Sequence, residues 1–127
     1  MVTSKKEVMT NEELGQWGEE TACSLLVSKG YKIEARNFRF KKHEIDIVLC
    51  KNDLLIIAEV KTRQTAEIGE PWKAVTRNKQ RQIIKVANYY VQSQDREIDV
   101  RFDVVSIVHN QYHTKIIHIE DAFSPIA

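Results

Sequence analysis

Four charged side chains lie in two of the most apolar segments of this sequence. Glu44 and Asp46 belong to the segment EIDIVLC, and Glu59 and Lys61 belong to LLIIAEVK, with twelve residues between Asp46 and Glu59. Charged residues are uncommon in strands whose neighbours are this apolar. Two carboxylates can hold a divalent metal ion, and a nearby lysine can hold a water or neutralise a phosphate. The residue types and their spacing therefore point to metal-assisted hydrolysis.

The two apolar segments predict a β-hairpin, because a short polar break separates runs rich in Ile, Leu and Val. With Asn52 and Asp53 as its two-residue loop, counting back along both strands places Asp46 opposite Glu59. Strand side chains alternate between faces, so one face is apolar at one end and charged at the other. Two carboxylates about 4 Å apart repel by about 4 kcal/mol at an effective dielectric of about 20. We therefore expect a cation between them.

The neighbours of this pair complete the candidate site. The main-chain carbonyl of Val60 can add an oxygen ligand, and Glu19 from the first helix can complete the shell directly or through water. Lys61, one strand pleat beyond Glu59, is expected to activate the water or neutralise charge on the phosphate. Glu44 falls opposite Lys61 and is expected to be its structural partner. The predicted catalytic residues are Asp46, Glu59, Lys61 and Glu19, and the predicted ligands of Mg²⁺ or Mn²⁺ are Asp46, Glu59, Val60 and Glu19.

Seven elements must position these residues. A capping box from Thr10 to Glu13 begins a helix that we expect to end near Lys29 and Gly30. Periodicity then predicts a strand at 31–40, the hairpin at 44–61, a helix at 78–92, and strands at 98–108 and 114–119. Residues 62–69 predict a loop, after which Pro71 and Trp72 open a short helical entry. The order α-β-β-β-α-β-β predicts an α/β fold with a mixed sheet and helices packed on it.

Composition limits the class of protein. The 127 residues predict a single domain over residues 1–127, with residues 1–9 frayed. A formal net charge of +1 gives no global cationic field, so nucleic-acid binding requires a local patch. Cys23 and Cys50 have no metal-ligand spacing and give no disulfide framework, and no apolar run is as long as a membrane span. The expected location is the cytoplasm, with no membrane partner.

Basic side chains form two candidate phosphate-binding groups. Arg36 and Arg39 belong to a basic segment that leads into the hairpin, and Arg77, Arg81 and Lys85 recur at four-residue steps in the second helix. Such a row is usually only a solvated helix face, but a site that hydrolyses a phosphate ester of a nucleic acid needs phosphate contacts beside it. The predicted nucleic-acid-binding residues are Arg36, Arg39, Lys73, Arg77, Lys79 and Arg81.

The chain resembles the YraN-like family of uncharacterised bacterial proteins over residues 11–123. The resemblance rests on the segments GQWGEETA (15–22), GY (30–31), RN (36–37), EID (44–46), EVK (59–61), RFDVV (101–105) and AF (122–123). That family is similar to the PD-(D/E)xK, restriction-endonuclease-like superfamily and to archaeal Holliday junction resolvases.

The resemblance implies a restriction-endonuclease-like fold and an Mg²⁺-dependent endodeoxyribonuclease that acts on DNA, branched DNA included. Carried over by position, it implies metal ligands at Asp46 and Glu59 and a catalytic lysine at Lys61. It also implies a helix glutamate at Glu19 and places Lys79 near the site. Since resolvase-like proteins work as dimers, a homodimer is a further expectation.

One position departs from the family pattern, and other functions stay open. The family usually has Gly before the EID segment, where this chain has His43, so the local loop conformation is in question. His43 can itself contact phosphate. By spacing alone, Asp46, Glu59 and Lys61 can equally be a salt-bridged strand end. The alternatives to a nuclease are a catalytically silent nucleic-acid-binding or repair-scaffold module with the same fold, and a purely structural protein.

Overall fold

All seven predicted elements are present in the structure, a computed structural model that describes residues 9–65 and 73–125. The elements are α1 (Asn11–Ser28), β1 (Lys32–Phe40), β2 (His43–Lys51), β3 (Leu54–Arg63), α2 (Arg77–Ser93), β4 (Asp99–His109) and β5 (Thr114–Phe123). β3 and β5 run past their predicted ends because residues 62–63 and 123 continue to pair with β4. The predictions for Pro71, for Trp72, for most of the 62–69 loop and for residues 1–8 fall outside the described residues. Of the helices within these ranges, none is long and apolar enough to span a membrane.

One five-stranded sheet, in the order β1-β2-β3-β4-β5, carries the fold. β3 and β4 are parallel, and the other neighbouring strands are antiparallel. A parallel pair needs a crossover connection, and α2 lies in that connection. The predicted α/β class, a mixed sheet flanked by helices in the order α-β-β-β-α-β-β, is confirmed.

An apolar layer is buried on each face of the sheet. The α2-side layer includes Ile45, Val48, Leu55, Ile57, Ile83, Val86 and Phe102. The α1-side layer includes Ala22, Leu26, Ile47, Leu49, Ile56, Val105 and Ile107. β3 supplies alternate side chains to both layers, and this explains why its sequence is an almost continuous apolar run rather than an alternating one.

α1 begins and ends as its sequence predicts. The Thr10 hydroxyl accepts from the Glu13 amide at 3.1 Å, and the Glu13 carboxylate accepts from the Thr10 amide at 2.9 Å. Gly30, just past the helix, has a φ of 95°, which glycine adopts without a steric penalty. In the middle of the helix, Gly18 lies directly against Thr62 of β3. This close approach brings the following turn of α1 to the charged end of the sheet.

Candidate active site

The β2–β3 hairpin has the predicted register, with its turn at residues 52–53, as far as Ile47 opposite Ala58. The paired ladder ends there, one pair short of Asp46. Beyond this point Asp46 Oδ2 accepts a hydrogen bond of 2.8 Å from the backbone amide of Val60. The Asp46 side chain thus stands in for a β2 carbonyl and satisfies an amide that the ladder leaves open.

The alternation of side chains along β2 breaks at Asp46. Ile45 packs in the α2-side layer and Ile47 in the α1-side layer, although an unbroken strand would put both on one face. β1 is irregular at the same level, because Asn37 has a φ of 51°. Asn tolerates this left-handed conformation better than most residues. At this level, beside Asp46, the regular alternation of side chains between the two faces of the sheet is therefore interrupted in both strands.

This break separates Glu44 from Lys61, so the predicted pairing of those two residues is wrong. Glu44 instead faces Arg39 across the β1–β2 ladder, with Arg39 Nη2 3.5 Å from Glu44 Oε2. Lys61 is exposed, and its ammonium group has no hydrogen-bond or ion-pair partner among the residues that the structure describes. A free cationic donor therefore stands beyond Glu59 on β3.

Glu59 is a buried carboxylate with an unsatisfied oxygen. Only 7% of its surface is exposed, and Oε1 has no hydrogen-bond partner in the described part of the chain. Its other oxygen lies 3.7 Å from Lys79 Nζ, too far for a short charge-assisted hydrogen bond. Burial, followed by repulsion from Asp46, raises the pKa of Glu59 from 4.5 to about 8. An orphaned buried oxygen carries a desolvation penalty that a neighbouring cation would offset.

Asp46 is half-buried beside the same carboxylate. Burial raises the pKa of Asp46 from 3.8 to about 6; the Val60 amide opposes this shift and the negative charge of Glu19 adds to it. The negative charges of Asp46 and Glu59 therefore repel each other, although the two residues are not paired in the ladder. Together they form what we call the carboxylate pair.

Glu19 reaches the edge of the carboxylate pair from α1. The Asn37 side-chain amide donates to both of its carboxylate oxygens, at 3.0 and 3.2 Å, and Arg36 Nη2 lies 3.5 Å from Oε1. Glu19 is close enough for its charge to raise the pKa of Asp46. These contacts hold it beside the pair. Within residues 9–65 and 73–125, no three His, Cys, Asp or Glu side chains are grouped as a metal cage.

The donors of the carboxylate pair fit a hard divalent cation. Mg²⁺ takes oxygen ligands, is commonly held by one or two carboxylates, and keeps several waters. Asp46 and Glu59 offer such oxygens, and Glu59 Oε1 has no competing partner in the described residues. The raised pKa of each acid shows that the surroundings disfavour two adjacent negative charges. The choice of Mg²⁺ or Mn²⁺, and the carbonyl of Val60 as a ligand, stay predictions.

The basic residues of β1 are engaged with acids. Arg36 Nη1 donates to Glu20 Oε1 at 2.7 Å, and Arg39 forms the ion pair with Glu44. Both guanidinium groups would have to leave or share these partners to bind phosphate. Their role in nucleic-acid binding stays a prediction.

Most basic residues of α2 lack such ion pairs among the residues that the structure describes. Lys79 is the one that contacts the carboxylate pair, through Glu59. Arg77, Arg81 and Lys85 are exposed, and Lys73 is exposed just before the helix. This helix therefore offers the more accessible cationic surface beside the site.

His43, where the family usually has Gly, is the first residue of β2 and has no positive φ. It pairs with Phe40 across a turn at residues 41–42. Lys41 takes the positive φ of 58° that such a short turn demands. The positive φ that favours glycine is therefore found at Lys41, and a glycine is not required at position 43.

Asn37 is the site residue that sequence reasoning missed. It supplies the irregular backbone beside Asp46 and both hydrogen bonds to Glu19. Asn is depleted in strands, so an Asn inside a strand pattern was the available signal.

A second polar cluster lies apart from the carboxylate pair. Arg101 and Asp103 form an ion pair on β4, with two N–O distances of 2.8 Å. His118 Nε2 also lies 2.8 Å from Asp103 Oδ2, and its Nδ1 lies 2.8 Å from Lys29 Nζ. The cluster ties β4 and β5 to the end of α1.

Comparison with known proteins gives a consistent family assignment. The profile of the uncharacterised protein family UPF0102 matches residues 18–107, a range that contains every predicted catalytic residue. A UPF0102 protein of Syntrophomonas wolfei is 45% identical over 114 residues, which cover 89% of this chain and 99% of the relative. One of Christiangramia forsetii is 43% identical over 113 residues, covering 89% and 95%. One of Thermodesulfovibrio yellowstonii is 42% identical over 115 residues, covering 91% and 99%. The chain therefore belongs to the uncharacterised protein family UPF0102, in agreement with its YraN-like resemblance.

Proposed function

We propose that this protein is a metal-dependent endonuclease that hydrolyses DNA phosphodiester bonds, with branched DNA among its substrates. The observation that carries the proposal is the carboxylate pair, in which the buried Glu59 has an Oε1 without a partner among the described residues. The exposed ammonium group of Lys61, without a partner in the described ranges, follows on the same strand, and an accessible cationic helix lies beside it. A nuclease needs each of these parts next to the others.

Each residue has a distinct role in this proposal. Asp46 and Glu59 hold Mg²⁺ or Mn²⁺, with the Val60 carbonyl as a further oxygen donor. When bound, the ion supplies positive charge to the phosphate and lowers the pKa of a water. Lys61 orients the attacking water through its Nζ and stabilises the negative charge that develops on the phosphate oxygens.

Glu19 is assigned a supporting role. Asn37 and Arg36 hold its carboxylate at the edge of the pair, so it acts through a water. It also keeps a negative charge near Asp46, which favours a cation there. Since a single site cuts one strand, cutting both strands at one point requires a homodimer.

A cleavage assay tests the proposal on linear, nicked and four-way DNA with Mg²⁺ or Mn²⁺. The informative variant is Asp46→Asn, because Asn keeps an acceptor for the Val60 amide while it removes the charge. We expect metal-dependent cleavage by the wild type and none by Asp46→Asn. The matched control is Asp53→Asn, which changes an exposed acid in the turn of the same hairpin and should cleave normally. Equal cleavage by Asp46→Asn, or no cleavage by the wild type on any substrate, rejects the proposal.

Metal binding is measured separately by calorimetric titration with Mn²⁺. The wild type and Asp53→Asn should bind, whereas Asp46→Asn should bind much more weakly because it loses a charged ligand. Equal binding by all three proteins would place the metal elsewhere.

One observation favours a second function, nucleic-acid binding without catalysis. Both oxygens of Glu19 are held by Asn37, and no cage of three acidic ligands forms in the described ranges. In that case α2 binds DNA with a steep salt dependence and without metal-dependent cleavage. Binding that is indifferent to salt and to Arg81→Ala would exclude it.

A further inference from the structure

Positive charge is concentrated on α2. The helix has four basic residues and no acidic residue among its 17 positions, whereas the whole chain has a net charge of +1. Arg77 and Lys79 lie in the first turn, where the helix dipole disfavours cations. An anion bound to this surface would offset that unfavourable placement.

The basic side chains of α2 form a row that ends in an aromatic ring. Arg77, Arg81 and Lys85 are exposed and follow one another at about 6 Å along the helix axis. None of the three has an ion-pair partner among the described residues. The next position in the row is Tyr89, whose surface is 42% exposed. A line of cations without ion-pair partners in the described ranges thus leads to a partly exposed tyrosine.

Tyr89 is fixed in orientation by the edge of the sheet. Its ring is stacked on Phe40 of β1, with centroids 4.0 Å apart and planes inclined by 17°. Lys41 Nζ lies 5.4 Å from the Phe40 centroid. A ring already held flat loses little freedom when another flat ring stacks on it. Aromatic platforms flanked by cations are how proteins hold unpaired nucleotides without sequence preference.

We propose that Tyr89, backed by Phe40, is a stacking platform for an unpaired base, and that Lys85, Arg81 and Arg77 contact phosphates of the same strand. Phe40 pairs with His43, which is three residues from Asp46, or about 10 Å along β2. At about 3.4 Å per stacked nucleotide this is about three nucleotides. The placement rests on the proposed function: the substrate is DNA with an unpaired stretch beside the cleavage point.

An anionic membrane surface is the competing ligand, and the observations favour it less. Membrane binding by a helix grows with the apolar area that enters the lipid. Among the described residues of α2, Tyr89 is the one large apolar side chain that is exposed, and it lies flat on Phe40. Such a surface suits one base better than a lipid layer.

Fluorescence anisotropy in the presence of a chelator tests the platform independently of cleavage. The probes are a labelled single-stranded oligothymidine, a blunt duplex of the same length, and vesicles containing phosphatidylserine. We expect Tyr89→Leu to weaken single-strand binding about tenfold. Tyr89→Phe keeps the ring and should restore the affinity. The matched control is Tyr112→Leu, which removes an exposed tyrosine at the β4–β5 turn.

Two outcomes overturn the platform. One is single-strand affinity that is the same for Tyr89→Leu and Tyr112→Leu, or absent in the wild type. The other is vesicle binding that depends on Tyr89 while single-strand binding does not. Thermal unfolding of each variant shows whether a loss of affinity reflects a loss of fold.

Cleavage of forked against fully paired DNA separates the two proposals. The wild type should prefer the forked substrate, and Tyr89→Leu should lose that preference. If the wild type cleaves DNA and Tyr89→Leu keeps the same preference for the forked substrate, the stacking platform is rejected and the nuclease proposal is not. Binding that depends on Tyr89, without metal-dependent cleavage on any substrate, rejects the nuclease and the placement near a cleavage point.

Discussion

Gly18 of α1 and Thr62 of β3 are in direct contact, with no room between them for a side chain. A Cβ atom on Gly18 would overlap the Thr62 hydroxyl and lie 2.8 Å from Thr62 Cβ. The residues next to this contact in sequence are Glu19 and Lys61. The contact therefore sets the distance between the two chain segments that carry these residues.

Gly18→Ala should destabilise the protein by about 1–3 kcal/mol, because the new methyl group must push α1 away from β3. Chemical unfolding measures the change. The control is Gly15→Ala on the same helix, where a Cβ meets no atom within 4 Å, and which should stabilise by about 0.5–1 kcal/mol. Equal effects of the two substitutions would contradict the close contact.

Glu59→Gln should make the stability of the chelator-treated protein less dependent on pH. The pKa of Glu59 is raised from 4.5 to about 8, so its contribution to stability is complete below 4.5 and is lost as the pH rises through about 8. Gln cannot be ionised and should keep that stability, an advantage of roughly a few kcal/mol above pH 8. The measurement is denaturant unfolding across this pH range in both proteins.

The control for this prediction is Glu97→Gln, which changes an exposed carboxylate near the end of α2. Its pH profile should follow that of the wild type. If Glu59→Gln also follows the wild type, burial and the charge of Asp46 do not raise the pKa of Glu59.

Lys61→Ala should lower the cleavage rate by about 10²–10³-fold while DNA affinity changes little, because the role proposed for Lys61 lies in the charge that develops during hydrolysis. Rates under saturating DNA and affinities in chelator give the two quantities. Lys115→Ala removes an exposed lysine of β5 and should leave both unchanged. A parallel fall in affinity and rate would make Lys61 a binding residue.

Asp103→Asn should destabilise the fold by about 3–5 kcal/mol, since Arg101 and His118 would lose a buried anionic partner. Although burial raises the pKa of Asp103, hydrogen bonds from His118 and Arg101 outweigh it and leave that pKa below 3.8. Its stabilising effect is therefore present above 3.8 and is lost as the pH falls through the lowered value. Acid unfolding should show this loss in the wild type and in the exposed control Asp99→Asn, and not in Asp103→Asn.

Local sequence was enough to predict the elements and much of the hairpin. The capping box at Thr10 and the glycine after α1 depend on neighbours within a few residues, and both are present. The register from Lys51 to Ile47 follows from the two-residue turn. The break at Asp46 could not be read in this way, because the left-handed Asn37 on the opposing strand accompanies it.

The sequence by itself determined which side chains are present for chemistry and the strands that carry them, since apolar periodicity and turn residues act over short distances. Only the tertiary structure decided how they meet. In it, Asp46 accepts a hydrogen bond from the Val60 amide, Glu44 forms an ion pair with Arg39, and Tyr89 stacks on Phe40. The first two contacts depend on how neighbouring strands pair around the break at Asp46, and the third depends on the packing of α2 against the sheet. The carboxylate pair was therefore predictable as two acids on adjacent strands, and its surroundings were not.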